Sequence, residues 1–205
     1  MPTEHNTPAT ALPSTREWLR TRTEAAHSRT DAAFSRFDLS CERGLRDFLL
    51  AQALGLRAVK RALQGHALDW AEVVGRRAET AEADIRAMCA DWKPAVTPHT
   101  VTLALRSHTA RVGAAYVAAG SLHGTGVLRR QLRRDAPMPE FFATSPDWVP
   151  MWKGVLARLE TLAPCLDLAH GATLTFQAFE TAANRASAIA SETTPKTAPK
   201  QEIAA

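Results

Sequence analysis

The sequence is poor in the features that mark secreted, disulfide-bonded or membrane-spanning proteins. Its three cysteines, Cys41, Cys89 and Cys165, are odd in number and far apart, so they fit neither a disulfide framework nor a CxxC metal site. No apolar run approaches the roughly 20 residues that a membrane span needs, and the first residues lack the pattern of a signal peptide. These absences predict a cytoplasmic protein with no membrane segment.

Recognisable catalytic and cofactor motifs are also missing. The sequence contains no HExxH, GxSxG, P-loop or dinucleotide fingerprint. It contains no flavin or iron–sulfur motif either, so any reaction that consumes electrons needs an external electron donor. No alternating strand, hairpin dipeptide or internal repeat is evident.

The distribution of proline predicts an all-α chain. None of the twelve prolines lies within residues 14–93, 99–136 or 165–194. Long proline-free stretches rich in Ala, Leu, Arg and Glu favour helices, because a proline inside a helix costs about 3 kcal/mol. We predict one all-α domain over residues 14–190, with disordered tails over residues 1–13 and 191–205.

Helix starts and apolar spacing place the individual helices. The first is predicted over about residues 14–37 and the second over about residues 44–64. The last is predicted to follow Pro164. Three further helix starts are predicted from candidate N-cap residues: Asp69, Thr97 and Ser145. Thr97 and Ser145 are each followed by a proline, Pro98 and Pro146, which suits the first helical position.

A histidine lies at the border of the inward face of the first helix. That face is predicted to consist of Leu19, Thr23, Ala26, Thr30, Ala33 and Phe37. A neutral imidazole at His27 could ligate a metal through one ring nitrogen while a neighbour holds the other. The alternative is a partly buried structural histidine that bonds to a nearby carbonyl oxygen.

Glycines are concentrated in one predicted helix. Gly113, Gly120, Gly124 and Gly126 lie close together although the chain has only ten glycines. The first three share one helical face, and each glycine inside a helix costs about 0.8–1 kcal/mol relative to alanine. Either a flat or bulky group approaches the backbone at this face, or the helix packs tightly against another helix.

Arginine supplies most of the positive charge, and the net charge is +4. Arg129, Arg130, Arg133 and Arg134 follow the glycines and are predicted to stack at i,i+4 on a helix. This cluster could hold carboxylates bidentately, dock an acidic partner, or simply form a solvated helix face. The small net charge gives little support for nucleic-acid binding, so no nucleic-acid partner is predicted.

Two segments together resemble the bacterial biliverdin-producing haem oxygenases, especially the group found with bacteriophytochromes. LRTRTEAAHSRTDAAFSRF in the first helix is similar to that family's LR-x-x-T-x-x-x-H-x-x-x-D pattern. GAAYVAAGSLHGTGVLRR is similar to its Tyr-Val-x-x-Gly-Ser-x-x-Gly distal segment. Trp152 and the Phe176/Phe179 pair also stand where the family has aromatic residues. The resemblance runs from about Arg16 to Asn184.

The resemblance implies a haem-oxygenase-like helical bundle with haem between the first helix and the glycine-bearing distal helix. His27 would be the iron ligand. The other implied haem-binding residues are Tyr116, Gly120 and Gly124. Basic residues that could pair with the haem propionates are Arg20, Arg129, Arg133, Lys153 and Arg158, and the resemblance does not choose among them. Arg20 is favoured because it lies two turns before His27 on roughly the same face. Haem would be both cofactor and substrate, cleaved with O₂ to biliverdin, carbon monoxide and ferrous iron. A separate reductase or ferredoxin would supply electrons, and a bacteriophytochrome is a candidate acceptor of the biliverdin.

The distal segment departs from the family pattern at some positions. Ser121 stands where many haem oxygenases have an aspartate that organises water, although the bacteriophytochrome-associated relatives commonly have serine there too. Ala119 replaces a frequent glutamate, and His123 replaces a small or aliphatic residue. With Gly120 and Gly124, Ser121 and His123 are the predicted catalytic set. His123 could donate a hydrogen bond to bound O₂, ligate the iron, or face solvent. The alternative function is therefore a non-catalytic haem sensor or carrier with His123 as a second ligand.

Overall fold

The computed structural model describes residues 13–65, 70–90, 101–143 and 145–192, without the side chains at 122, 123 and 190–192. Within these ranges the chain is helical and contains no β-strand, which confirms the predicted all-α class. The helices are α1 (Thr15–Phe34), α2 (Glu42–Leu63), α3 (Trp70–Met88), α4 (His108–Leu128), α5 (Trp148–Glu160) and α6 (Leu166–Glu192). None of the described helices is long and apolar enough to cross a lipid bilayer.

The ends of the predicted domain fall near the limits of the described chain. Residues 1–12 and 193–205, which make up most of the predicted tails, lie outside the described residues. The helix α6 runs through Glu192, two residues into the predicted C-terminal tail. The candidate N-cap of α3, Asp69, also lies outside the described residues.

The start of α1 is fixed by a reciprocal cap. The hydroxyl of Ser14 accepts a hydrogen bond from the backbone N–H of Glu17, and the Glu17 carboxylate accepts from the backbone N–H of Ser14 at 3.0 Å. This capping box satisfies two of the N–H groups that a helix start leaves without partners. All six residues of the predicted inward face are buried. The helix α1 ends at Phe34, however, so Phe37 lies in the turn that follows and not on the helix as predicted.

The helix predicted to start at Thr97-Pro98 begins later, so that prediction is wrong. Thr97 and Pro98 themselves lie outside the described residues, but residues 101–106 are not helical. The helix α4 starts at His108, and the hydroxyl of its N-cap Ser107 accepts from the N–H of Ala110 at 3.1 Å.

Two carbonyl groups of the non-helical segment before α4 accept hydrogen bonds from arginine side chains. Arg61 donates to the carbonyl oxygen of Val101 at 2.8 Å, and Arg111 donates to that of Leu105 at 3.0 Å. Val101 and Leu105 are buried and Leu103 is half-buried, while the residues between them are exposed. This alternation has the period of an extended chain, and the spacing of four between Val101 and Leu105 imitates a helix.

The start predicted for α5 is also wrong by a few residues. Ser145 does not cap the helix: its carbonyl oxygen accepts from the N–H of Trp148 at 3.3 Å, which forms a turn before the helix begins. Asp147 stands at the N-cap position, but its carboxylate accepts hydrogen bonds from the guanidinium of Arg76 at 2.9 and 3.1 Å. An ion pair with α3 therefore replaces a side-chain cap.

The helix α6 organises the packing, because α1, α2 and α4 all contact it. Its crossing with α4 depends on two glycines. A Cβ on Gly113 would overlap the carbonyl oxygen of Leu168, and a Cβ on Gly171 would overlap that of Ala110. Gly113 therefore allows two helix backbones to approach each other, as the helix-packing interpretation of the glycines predicts for this position.

Candidate functional site

A cavity of about 770 Å³ lies between α1 and α4. Its volume is within the range of about 300–1,000 Å³ typical of ligand pockets. Both helices pack on α6, and α2, α5 and α6 complete the walls. The predicted site residues that line this cavity are Arg20, His27, Tyr116, Gly120, Ser121 and Gly124.

His27 lies in the α1 wall with an open side chain. The side chain is 59% exposed, and its Nε2 is 3.5 Å from Oδ2 of Asp31 one turn later. Its ring centroid is 5.1 Å from that of Phe176 on α6. The ring is thus oriented by a carboxylate and an aromatic neighbour while it remains open to a ligand in the cavity. This differs from a partly buried structural histidine.

The α4 wall of the cavity has no side chain at two positions, Gly120 and Gly124. A Cβ on Gly124 would meet no protein atom within 4 Å, and a Cβ on Gly120 would meet only Trp152, at 3.8 Å. Protein packing therefore does not require glycine at either position, in contrast to Gly113. The glycines leave a smooth stretch of backbone against which a flat group can lie. Gly126 also has open space around it, but it does not line the cavity.

Aromatic rings form much of the remaining wall. The rings of Tyr116 and Trp152 stack, with centroids 5.7 Å apart and planes at 29°. On the opposite flank Phe34 lies against Phe48 and Phe179, at centroid distances of 5.6 and 6.4 Å. All five side chains line the cavity. Such walls exclude water and favour an apolar, aromatic ligand.

Two arginines give one side of the cavity a positive charge. Arg16 and Arg20 are one turn apart in the first part of α1, and both line the cavity. The guanidinium carbon of Arg16 lies 5.5 Å from the centre of the Trp152 ring, a cation–π contact that orients the side chain. The pair can bind the carboxylates of a ligand whose apolar part lies among the aromatic rings.

The structure does not bring Arg129 or Arg133 to the cavity. The helix α4 ends at Leu128, and Arg129–Gln131 form a 3-10 turn, so the predicted i,i+4 stacking on a helix is wrong. Arg133 instead donates two hydrogen bonds to the carboxylate of Asp135, at 2.6 and 3.1 Å. Neighbouring Asp135 raises the pKa of Arg133.

Polar groups in the cavity walls come from two helices. Ser121 on α4 donates its hydroxyl hydrogen to the carbonyl oxygen of Ala118 at 2.7 Å, which leaves lone pairs on the hydroxyl oxygen for a further partner. Gln52 on α2, half-buried, also lines the cavity. His123 lies on α4, but its side chain is outside the described residues, so its predicted roles stay predictions.

Some lining residues were not predicted as site residues, although the sequence carries a signal for them. Arg16 precedes Arg20 by four positions and His27 by eleven, so all three share one face of α1. Gln52 is a polar residue within the apolar stripe of α2, which is uncommon at a position that faces a protein interior. The helical period is therefore sufficient to find Arg16 once His27 is taken as the reference point, whereas the signal for Gln52 is its polarity within the apolar stripe of α2.

No family model matches the sequence, and no curated protein matches it. A function therefore has to be inferred from the two motifs in α1 and α4 and from the cavity that these helices enclose.

Proposed function

We propose that this protein is a haem oxygenase with a haem-oxygenase-like helical bundle, which cleaves haem to biliverdin, carbon monoxide and ferrous iron. The observation that carries the proposal is one cavity lined by both motifs. His27 of α1 lies in one wall of this cavity, and the side-chain-free backbone at Gly120 and Gly124 lies in another.

The lining residues fit haem in three respects. The glycines accommodate a planar group, the aromatic rings suit an apolar macrocycle, and Arg16 and Arg20 suit two carboxylates. His27 would supply one ligand to the iron, and the porphyrin nitrogens would supply the others. When bound, haem would supply both the iron that activates O₂ and the ring that is oxidised.

The residues of α1 would fix the position of the substrate. A ring nitrogen of His27 would bind the iron, and the carboxylate of Asp31 would hold the imidazole in a single orientation. Arg20 precedes His27 by seven residues, a rise of about 10 Å along a helix. Pairing of Arg20 and Arg16 with substrate carboxylates would therefore set how the macrocycle is rotated above His27.

The residues of α4 and α2 would control access and proton supply. Gly120 and Gly124 would leave room for a small gas molecule beside the backbone, because any side chain there would occupy that space. Ser121 and Gln52 offer hydroxyl and amide groups that can hold ordered water in the cavity. The aromatic walls would exclude bulk water, so protons would reach the reacting centre through these polar groups.

Electrons would come from a separate reductase or ferredoxin. Arg129, Arg130 and Arg134 are exposed just beyond Leu128, which itself lines the cavity. A basic surface next to the substrate cavity suits an acidic electron-transfer partner. The product could serve as the chromophore of a bacteriophytochrome.

Haem titration followed by turnover with ascorbate or a reductase tests this function. We expect a saturable Soret band that decays as biliverdin absorption grows. His27→Ala should change the spectrum and abolish turnover. His170→Ala is the matched control, because His170 is an exposed histidine on α6 outside the cavity. If His27→Ala bound haem with an unchanged spectrum, His27 would not be the iron ligand.

The same titration decides between the enzyme and the haem carrier. A high-spin or water-ligated ferric spectrum that leads to biliverdin supports the enzyme, because O₂ needs an open coordination position. A six-coordinate, low-spin bis-histidine spectrum without turnover supports a carrier. His123→Ala should convert such a spectrum to a five-coordinate or water-ligated one if His123 is the second ligand.

A further inference from the structure

The cavity between α1 and α4 has two chemically different ends. Arg16 and Arg20 line it near the start of α1, and Phe34 lines it at the end of the same helix. His27 lies seven residues after Arg20 and seven before Phe34, which is a rise of about 10 Å in each direction. A macrocycle centred at His27 with its carboxylates at the arginines therefore has its opposite edge near Phe34.

The wall at this far end consists of aromatic rings and a glutamine. The ring of Phe34 lies 5.6 Å from that of Phe48 and 6.4 Å from that of Phe179, between centroids. Gln52 follows Phe48 by one turn of α2 and lines the same cavity. Gly55, three residues later, faces Phe179, because a Cβ there would overlap that ring. Since Phe48, Gln52 and Gly55 share one face of the helix, the Gln52 side chain lies on the side of these rings.

The carboxamide of Gln52 is available to a ligand. It makes no hydrogen bond with the described residues, and neither of its polar atoms is sealed from solvent. Thr30, another polar residue in the wall, already donates its hydroxyl to the carbonyl oxygens of Ala26 and Phe176, each at 3.0 Å. A carboxamide carries two N–H donors and a carbonyl acceptor. Gln52 therefore offers unused hydrogen bonds at an end of the cavity that is walled largely by aromatic rings.

Haem and biliverdin differ at the edge that would face Gln52. The edge of haem opposite its carboxylates carries methyl groups, vinyl groups and a meso C–H, which form no conventional hydrogen bonds. Cleavage at that meso carbon converts the two adjoining rings to lactams, each with a carbonyl acceptor beside an N–H donor. A carboxamide is complementary to a lactam, because its N–H can donate to the lactam oxygen while its carbonyl accepts from the lactam N–H.

We propose that Gln52 is a product-recognition residue, which binds a terminal lactam of biliverdin and makes no polar contact with haem. This inference rests on the proposed function. It requires the cleaved meso carbon to face α2, opposite Arg16 and Arg20. Gln52 then favours the product over the substrate, and the arginines hold the carboxylates of both.

Titrations of Gln52→Met with haem and biliverdin test this role. Methionine has nearly the length of glutamine but no N–H or carbonyl group. The α isomer of biliverdin, in which the cleaved carbon lies opposite the propionates, should bind about tenfold or more weakly to this variant, because two hydrogen bonds are lost. This binding is followed by the induced circular dichroism of the pigment. Haem affinity, followed at the Soret band, should not change.

Two controls isolate the lactam contact. Gln64→Met should leave both affinities unchanged, because Gln64 is exposed at the end of α2 and does not line the cavity. A biliverdin isomer cleaved at a neighbouring meso carbon keeps its propionates but carries its lactams at another edge. It should bind the native protein more weakly than the α isomer does, and Gln52→Met should not change its affinity.

Three results would overturn the proposal. The first is an equal affinity of Gln52→Met and the native protein for the α isomer, which would leave Gln52 in contact with water alone. The second is a parallel loss of haem and biliverdin affinity, which would make Gln52 a structural part of the wall. The third is a native protein that binds haem but not the α isomer. Gln52→Leu repeats the measurement if Gln52→Met fails to fold.

Failure of this inference is distinguishable from failure of the proposed function. A native protein that binds no haem and forms no biliverdin would contradict both. A native protein that binds haem and converts it to biliverdin keeps its proposed function, and any of the three results above would then remove only the role of Gln52.

Discussion

Replacing Gly124 by alanine should raise the stability of the free protein and lower its affinity for haem. Gly124 lies within α4 and lines the large cavity, and a Cβ there would meet no protein atom within 4 Å. The added methyl group therefore causes no clash with the protein. It would occupy space where we propose that the porphyrin lies.

The substitution should change the stability of the free protein and its affinity for haem in opposite directions, and the size of each change can be worked out separately. Exchanging a helical glycine for alanine stabilises a helix by about 0.8–1 kcal/mol. For a domain of this size, such a gain raises the melting temperature by about 2–4 °C. An extra methyl group in a well-packed contact costs typically about 1–3 kcal/mol. The middle of that range, about 2 kcal/mol, corresponds to roughly thirtyfold weaker haem binding.

Gly126→Ala is the matched control for this substitution. Gly126 lies on the same helix with open space around it, but it does not line the cavity. Thermal unfolding without haem should show similar gains for both variants. Haem titration should show a loss for Gly124→Ala alone. Equal haem affinities in the two variants would refute the proposal that Gly124 contacts the porphyrin. A loss of stability in Gly124→Ala would refute the conclusion that a methyl group at this position meets no protein atom.

Three further substitutions test the packing described above. Gly113→Ala should destabilise the protein by about 1–3 kcal/mol, measured by urea unfolding, because the new Cβ would overlap the Leu168 carbonyl. Gly55→Ala should lower both stability and haem affinity, because its Cβ would overlap the Phe179 ring that lines the cavity; unchanged haem affinity would show that the ring adapts. Ser14→Ala should cost about 1 kcal/mol at neutral pH. The backbone N–H of Ser14 and, secondly, its hydroxyl lower the pKa of Glu17 below the ordinary value of 4.5. The alanine variant keeps the backbone hydrogen bond, so only the part of the cost that comes from the hydroxyl donating to Glu17 should shrink as the pH falls from above 4.5 through the lowered pKa.

The helices were predictable where one apolar face decides the structure. The predicted inward face of α1 follows the helical period as far as Ala33, and its residues are buried. The segment before α4 was not predictable in the same way, because Val101 and Leu105 fit both an extended chain and a helix. Contacts outside the segment favour the non-helical form, since Arg61 on α2 donates to the carbonyl oxygen of Val101 and Arg111 at the start of α4 donates to that of Leu105.

In the candidate site, too, some roles were predictable from a residue's position on its own helix, whereas others depend on parts of the protein that pack against that helix. The sequence identified His27, Gly120 and Gly124 because each is unusual for its own position on a helix. It did not separate Gly113 from the cavity glycines, because the two roles differ only in what lies opposite the helix. Because α4 ends at Leu128, Arg133 lies beyond the helix and pairs with Asp135. The sequence of repeated arginines contains no signal that predicts this helix end.

The two halves of α4 have different surroundings, and this has a consequence for hydrogen exchange. Residues 112–115 and 117–119 are buried against the rest of the protein, whereas residues 124–130 are exposed or half-buried. Amide protons in the second half should therefore exchange faster in the free protein, since few buried contacts oppose local opening there. A macrocycle bound at the glycines would slow this exchange. The ligand would then act as the missing part of the hydrophobic core at this end of the bundle.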